Sequence, residues 1–132
     1  MQMMIDVVDA TVDSAVKQIM AEAEKQQRNA GWRGWIESGP LHIYFRLTNR
    51  YILGKPMPTL EIANISVDPY YQNNGIFTKL LDQLEQLKPR KVLYIENIMG
   101  TSDENQIRLR EFLERRGFSD CGIEIPCMMK VL

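Results

Sequence analysis

The sequence predicts an α/β domain built on a mixed sheet, and three stretches predict it. Residues 60–87, LEIANISVDPYYQNNGIFTKLLDQLEQL, run as apolar strand, proline turn, glycine loop and amphipathic helix. After Lys88-Pro89, Val92 to Ile95 is a short apolar run, and residues 104–116 return to helical spacing before Gly117. Cys127 to Leu132, CMMKVL, has the composition of a closing strand. The order strand, helix, strand, helix, strand requires crossovers, which implies at least one parallel pairing.

In chain order, Met3 to Val8 reads as a first strand. Thr11 to Gln27 reads as a helix with Ala15, Ile19, Met20 and Ala23 on its apolar side and Gly31 beyond its end. In Gly31-Trp32-Arg33-Gly34-Trp35 the two tryptophans suit either core packing with partly exposed edges or the rim of a groove. Leu41 to Leu47 is a strand and Asn49 a turn. Tyr51-Ile52-Leu53 continues a short strand, and Gly54-Lys55-Pro56-Met57-Pro58 is a loop. Leu60, Ile62, Ile65 and Val67 partly alternate, as in a strand buried on one face, and Asp68-Pro69 ends it, because proline has no N–H for a ladder. Gln72-Asn73-Asn74-Gly75 tolerates unusual backbone angles. Ile76, Phe77, Leu80, Leu81, Leu84 and Leu87 then form one helical stripe. Gly100-Thr101-Ser102-Asp103 supplies N-cap residues for a helix over Glu104 to Arg116, with Leu109, Phe112 and Leu113 inward and Gly117 as its stop.

A chain of 132 residues fits one domain, residues 1–132, large enough for a core without staples. Sixteen basic residues against 17 acidic ones leave a net charge of −1, with no basic excess to argue for nucleic acid. No apolar run approaches the roughly 20 residues needed to span a bilayer, and MQMMIDVVDA lacks the features of a signal peptide, so a cytoplasmic location is expected. Cys121 and Cys127 are expected as reduced thiols. His42 has no Cys or acidic neighbour at ligand spacing and is expected to be structural; no metal is assigned.

A strand that feeds a tight loop into a helix presents several free N–H groups and a positive dipole end at one point, a place for a phosphate. The segment ISVDPYYQNNGIFTKLL resembles the cofactor motif of the GNAT (Gcn5-related N-acetyltransferase) superfamily, Arg/Gln-x-x-Gly-x-Gly/Ala, with Gln72 and Gly75 at its first two fixed positions. The later run NQIRLREFLERRGF is similar to the family's second conserved helix, which ends in Gly-Phe, here Gly117-Phe118, and Met129 to Leu132 resembles its usual terminus.

The resemblance implies a GNAT-like central mixed sheet, splayed between its two central strands, with helices on both faces and acetyl-CoA as co-substrate in the opening. It implies main-chain contacts to the pantetheine arm from Ile65, Ser66 and Val67. The N–H groups of Gln72, Asn73, Asn74, Gly75, Ile76 and Phe77 would hold the pyrophosphate, and Asn105 or Gln106 would touch the cofactor. It also implies direct acetyl transfer to a primary amine of a protein lysine, an N-terminus or a small molecule. Glu61 sits at an offset from Gln72 that resembles a general-base glutamate of the histone acetyltransferase branch; its plain reading is a strand-end carboxylate. Dimers are frequent among relatives, so a homodimer is an open expectation.

The sequence departs from the family pattern at Phe77, where glycine or alanine lets the cofactor approach, and at Leu113, where many members carry a general-acid tyrosine. Tyr94 or Tyr71 is the available substitute. A second class of function therefore stands beside the enzyme: a degenerate GNAT-fold protein that acts by protein–protein contact, through Trp32/Trp35 and Tyr70/Tyr71. A phosphate-loop NTPase is a distant third reading, since Gly75 is not followed by the Gly-Lys-Ser/Thr such sites require.

Overall fold

Alternation along one strand sets the two faces of the sheet. On β2 (Leu41–Ile52) the side chains of Leu41, Ile43, Phe45 and Leu47 are fully buried, while His42, Tyr44, Arg46 and Thr48 between them stay partly exposed. The computed structural model describes residues 2–27, 31–96, 103–120 and 127–132. Around β2 are α1 (Gln2–Lys25), β1 (Trp32–Ser38), β3 (Lys55–Val67), a 3-10 turn at Pro69–Tyr71 and α2 (Ile76–Leu87), followed by β4 (Val92–Glu96), α3 (Asp103–Arg115), β5 (Ser119–Asp120) and β6 (Cys127–Val131). The strands form one sheet in the order β1-β2-β3-β4-β6-β5, antiparallel except for β3 beside β4.

The parallel pair is short. Thr59 to Ile62 of β3 lie against Val92 to Ile95 of β4, and there the pairing stops although β3 continues to Val67. At the same place the β2–β3 register slips: Phe45 faces Ile62 and Tyr44 faces Asn64, which leaves Ala63 as an extra residue in β3. Such a bulge bends its strand and sharpens the local twist. Beyond it β3 follows β2 and parts from β4.

The helices form a single layer with α2 in the middle. Its buried Ile76, Leu80, Leu81 and Leu84 share one core with Val8, Val12, Val16 and Ile19 of α1, Leu113 of α3, and the inward residues of β2, β3 and β4. Lys79 and Gln83 reach Asp9 and Asp13 on α1, while Asp82 and Glu85 accept from Arg116 just past α3. Arg90 closes the far end of α1 by donating to the carbonyls of Ala23 at 2.8 Å and Gln26 at 3.3 Å. Gly117, at φ 93°, ends α3, with the Phe118 N–H donating to Leu113 O at 3.0 Å.

The splayed mixed sheet matches the expected architecture. The described helices, however, all cover one face rather than both, since α1 and α3 flank α2 over the same side chains. Met3 to Val8 is the start of a 24-residue helix, not a strand. Val8, Val12, Ala15, Val16, Ile19 and Ala23 keep one helical stripe, and that long period overrides a short β-branched run. Asn49 is mid-strand, and residues 55–58 are strand rather than loop. Pro56 and Pro58 fit there because β4 pairs with β3 only from Thr59, so their missing N–H groups fall on an unpaired edge. Trp32 packs on Phe45 with ring centroids 4.9 Å apart, and its indole leaves no room for a Cβ on Gly34. Cys127 is disulfide-bonded, not a free thiol.

Because α2 holds both neighbouring helices, Leu80→Ala, which empties a fully buried position, should lower the unfolding free energy by about 2–5 kcal/mol. Urea denaturation reads this as a drop in midpoint at unchanged slope.

Candidate functional site

Two pockets flank the place where β3 and β4 part. The first lies at the loop between β3 and α2. It has a volume of ≈ 350 Å³ and is lined by Val67, Tyr71, Gln72, Asn73, Gly75, Ile76, Phe77 and Thr78. The loop spends its early amides internally: Asp68 N–H donates to Pro40 O, Tyr71 N–H to Asp68 O and Gln72 N–H to Pro69 O. From Asn73 to Thr78 the backbone N–H groups have no acceptor among the described residues. Asn73 at φ 63° and Gly75 at φ 80° take left-handed backbone, which aims successive amides outward. A Cβ built on Gly75 meets nothing within 4 Å, so this face of the loop is open.

The side chains of the loop brace it. Gln72 Nε2 donates to Val67 O at 2.9 Å, and Asn74 Nδ2 donates to Tyr71 O and Gln72 O. Phe77 turns its ring toward Phe112 of α3, with centroids 6.2 Å apart, while still contributing to the pocket wall. Lys79, the nearest cation on α2, is tied to Asp9. His42 stands behind the loop, with Nε2 3.1 Å from Asp68 and Nδ1 on Glu37. Hydrogen bonds to Glu37 and then Asp68 raise its pKa above the ordinary value, so it clamps the loop's start to the β1–β2 hairpin.

The second pocket, of ≈ 630 Å³, opens on the helix-free face and is lined by residues including Arg46, Thr48, Arg50, Glu61, Tyr94 and Glu96. Glu61 is 2 % exposed. Its Oε1 accepts from Arg46 Nε at 3.0 Å and its Oε2 from Arg50 Nε at 2.8 Å and from Thr48 Oγ1. Arg46 also pairs with Glu96, and the Arg50 guanidinium lies 3.7 Å above the centre of the Tyr94 ring. Burial pushes the Glu61 carboxyl up, but the hydrogen bonds from Arg50 and Thr48 and the charges of Arg50 and Arg46 outweigh it and hold the pKa below its ordinary value.

The residues expected to act thus divide into two groups. Val67, Gln72, Asn73, Gly75, Ile76 and Phe77 come together at the loop pocket. The amide of Gln72 is already bonded, which removes it from the set of free donors, and Asn74 takes part through its backbone alone. Ile65 turns into the core and Ser66 sits opposite His42, so only their main chain faces the gap. Glu61 and Tyr94 are register partners in the second pocket. Asn105 lies in the first turn of α3, and its side chain is outside the described residues, as is Gln106's. Sequence reasoning missed Arg46, Thr48, Arg50 and Glu96. For the three on β2 the signal is the run Arg46-x-Thr48-x-Arg50, which continues the polar phase of a strand whose other phase is apolar from Leu41 to Leu47; Glu96 has no such signal.

The family model for acetyltransferases of the GNAT family matches residues 22–118, most of the chain, with all of the loop pocket's lining and all but Met129 of the second pocket's. The chain belongs to the GNAT acetyltransferase family. A GNAT-family protein from Desulfovibrio desulfuricans shares 19% identity over 96% of this chain and 88% of its own, with a TM-score of 0.50, which supports the GNAT fold. Two further solved structures are similar at TM-score 0.49. One is a mutant of the toxin AtaT bound to the C-terminus of the antitoxin AtaR and acetyl-CoA, with 12% identity over 69% of this chain and 57% of that one. The other is a KacTA–DNA complex, with 13% identity over 89% and 79%. The match therefore spans little more than half of AtaT's length. No curated protein matches the sequence significantly. Among the described residues no helix is long and apolar enough to cross a membrane, and no cluster of potential metal ligands occurs.

In this GNAT chain Glu61 is the charge on which two arginines converge, so Glu61→Gln should lower the unfolding free energy by about 1–3 kcal/mol at neutral pH. A carboxyl held below its ordinary value stabilises the fold above the unfolded pKa, and that contribution is lost as pH falls through the folded one. The difference between wild type and Glu61→Gln in urea midpoint should accordingly be constant above about pH 5 and shrink on acidification.

Proposed function

We propose that this GNAT chain is an N-acetyltransferase that takes acetyl-CoA as co-substrate and a primary amine as acceptor. The observation that carries the reading is the run of unpaired amides from Asn73 to Thr78 at the N-terminus of α2, beside the edge that β3 leaves free after Ala63. The pyrophosphate would rest on these amides. The helix dipole contributes about 0.3–1 kcal/mol, and up to ~2 kcal/mol where partly buried. The loop is uncharged apart from Asp68 at its start, so backbone groups rather than a lysine do the holding. The free edge of β3 from Ala63 to Val67 offers strand-like pairing to the two amides of the pantetheine arm. Acetyl-CoA would supply the thioester carbon that the neutral acceptor nitrogen attacks, with the C–S bond breaking and the proton lost by nitrogen balanced by protonation of the departing CoA thiolate.

In this reading Glu61 serves as an anchor and not as the proton acceptor. A general base needs free lone pairs within reach of the amine and a proton affinity near the working pH. Hydrogen bonds from Arg46, Arg50 and Thr48 occupy most of the acceptor sites of Glu61, both on Oε2 and one on Oε1, and its proton affinity is lowered. Tyr94, 5 % exposed beneath Arg50, shapes the pocket floor and is the phenol nearest the parting strands.

A second reading, a GNAT fold that has lost catalysis and binds another protein, draws on Leu113, fully buried in the core where many members place a reactive tyrosine. One titration separates the two. Calorimetry with acetyl-CoA should give saturable binding at micromolar level in the wild type, abolished in Gly75→Asp. Gly75→Asn, of equal size and equal tolerance for left-handed backbone, should lose less, because it adds no charge against the diphosphate. No binding at millimolar acetyl-CoA would favour the non-catalytic reading.

A further inference from the structure

We infer that the helix-free pocket is the acceptor site for a small amine that also carries a carboxylate, with Arg50 as the carboxylate's anchor. This rests on the transferase reading above and deepens it. The pocket's ≈ 630 Å³ lies within the range of about 300–1,000 Å³ typical of small-molecule sites, and its floor, Glu61 and Tyr94, is the last outward-facing pair before β3 and β4 part. An acceptor seated there reaches the opening from the side opposite the helices, while the loop pocket serves the other end of it.

Arg50 is held in a way that leaves one edge for a ligand. Its Nε is bonded to Glu61 and its face is stacked on Tyr94, whereas its two Nη groups have no acceptor among the described residues. A guanidinium edge with two parallel N–H donors matches the two oxygens of a carboxylate, and a planar group already fixed loses little freedom on binding. Arg46 differs, because one of its two Nη groups is paired with Glu96, which leaves no two-pronged edge. The two arginines and the two glutamates cancel in charge. A zwitterion, carboxylate toward Arg50, enters such a pocket without leaving net charge uncompensated, whereas a polycationic tail meets the charges of two arginines.

The test compares acids with amides. Binding of N-acetyl-L-amino acids and of their primary amides is measured by calorimetry on wild type and Arg50→Lys, with acetyl-CoA affinity measured on both. KM is then measured for free amino acids against amino acid amides. The acids should bind at least about tenfold tighter than the amides in the wild type, and Arg50→Lys should reduce that preference to about twofold with acetyl-CoA affinity unchanged. The lysine keeps a positive charge beside Glu61, so the fold is retained, which the urea midpoint verifies. Equal binding of acid and amide, or a preference that survives Arg50→Lys, overturns the inference. Acetyl-CoA binding without acid preference sinks this inference alone. Acid preference without acetyl-CoA binding overturns the transferase reading instead.

Discussion

The ladder between β3 and β4 runs for four residue pairs and then stops, and the position of that stop organises the molecule. A continuous parallel pair would bury its own hydrogen-bonding groups and leave nothing for a ligand. Here Ala63 enters β3 as an unopposed residue, the strand bends toward β2, and the backbone beyond it loses its neighbour on one side. Everything with chemical potential sits around this interruption: the amide-rich loop at the upper end of β3, and the arginine–glutamate cluster just below the split. The two pockets are thus products of one local irregularity rather than separate devices.

The charged cluster shows how a strongly desolvated group is kept ionised. Glu61 is almost without solvent, and isolation alone would favour its neutral form. Two guanidiniums and a hydroxyl reverse that preference, and partly exposed arginines carry the remaining charge toward water. The same three hydrogen bonds that keep this carboxylate ionised occupy most of its acceptor sites. It holds Arg46 beside Glu96 and Arg50 over the ring of Tyr94.

How much of this was legible in the sequence follows from the range of the forces involved. The strand–loop–helix unit from Leu60 to Leu87 was readable because each part obeys a local rule: alternation, a proline stop, a left-handed glycine and a helical stripe. The same holds for Val92 to Ile95, for α3 and for Gly117. Of the N-terminal helix, the part from Thr11 onward was readable but its start was not, because Met3 to Val8 satisfies a strand template over a short window and reveals its helical phase only when joined to Val12 and Val16. Residues 55–58 look like loop until it is known that β4 begins opposite Thr59. The loop pocket was legible for similar local reasons. The second pocket was not, because Arg46, Arg50, Glu61, Tyr94 and Glu96 come from three strands and meet only through register. Phe77, an obstacle on paper, is accommodated by Phe112, a contact no linear pattern announces.

The prolines at 56 and 58 have a consequence for solubility. β3 has two stretches unpaired on the side facing β4, one on each side of its short ladder. Exposed strand edges invite other chains to add on, and proline is among the means by which proteins discourage it. The lower stretch is blunted by two residues without N–H, whereas the upper one keeps its donors. Self-association through β3 is thereby discouraged at the lower stretch, and the edge left competent for strand addition is the one that, under the transferase reading, a bound pantetheine would mask.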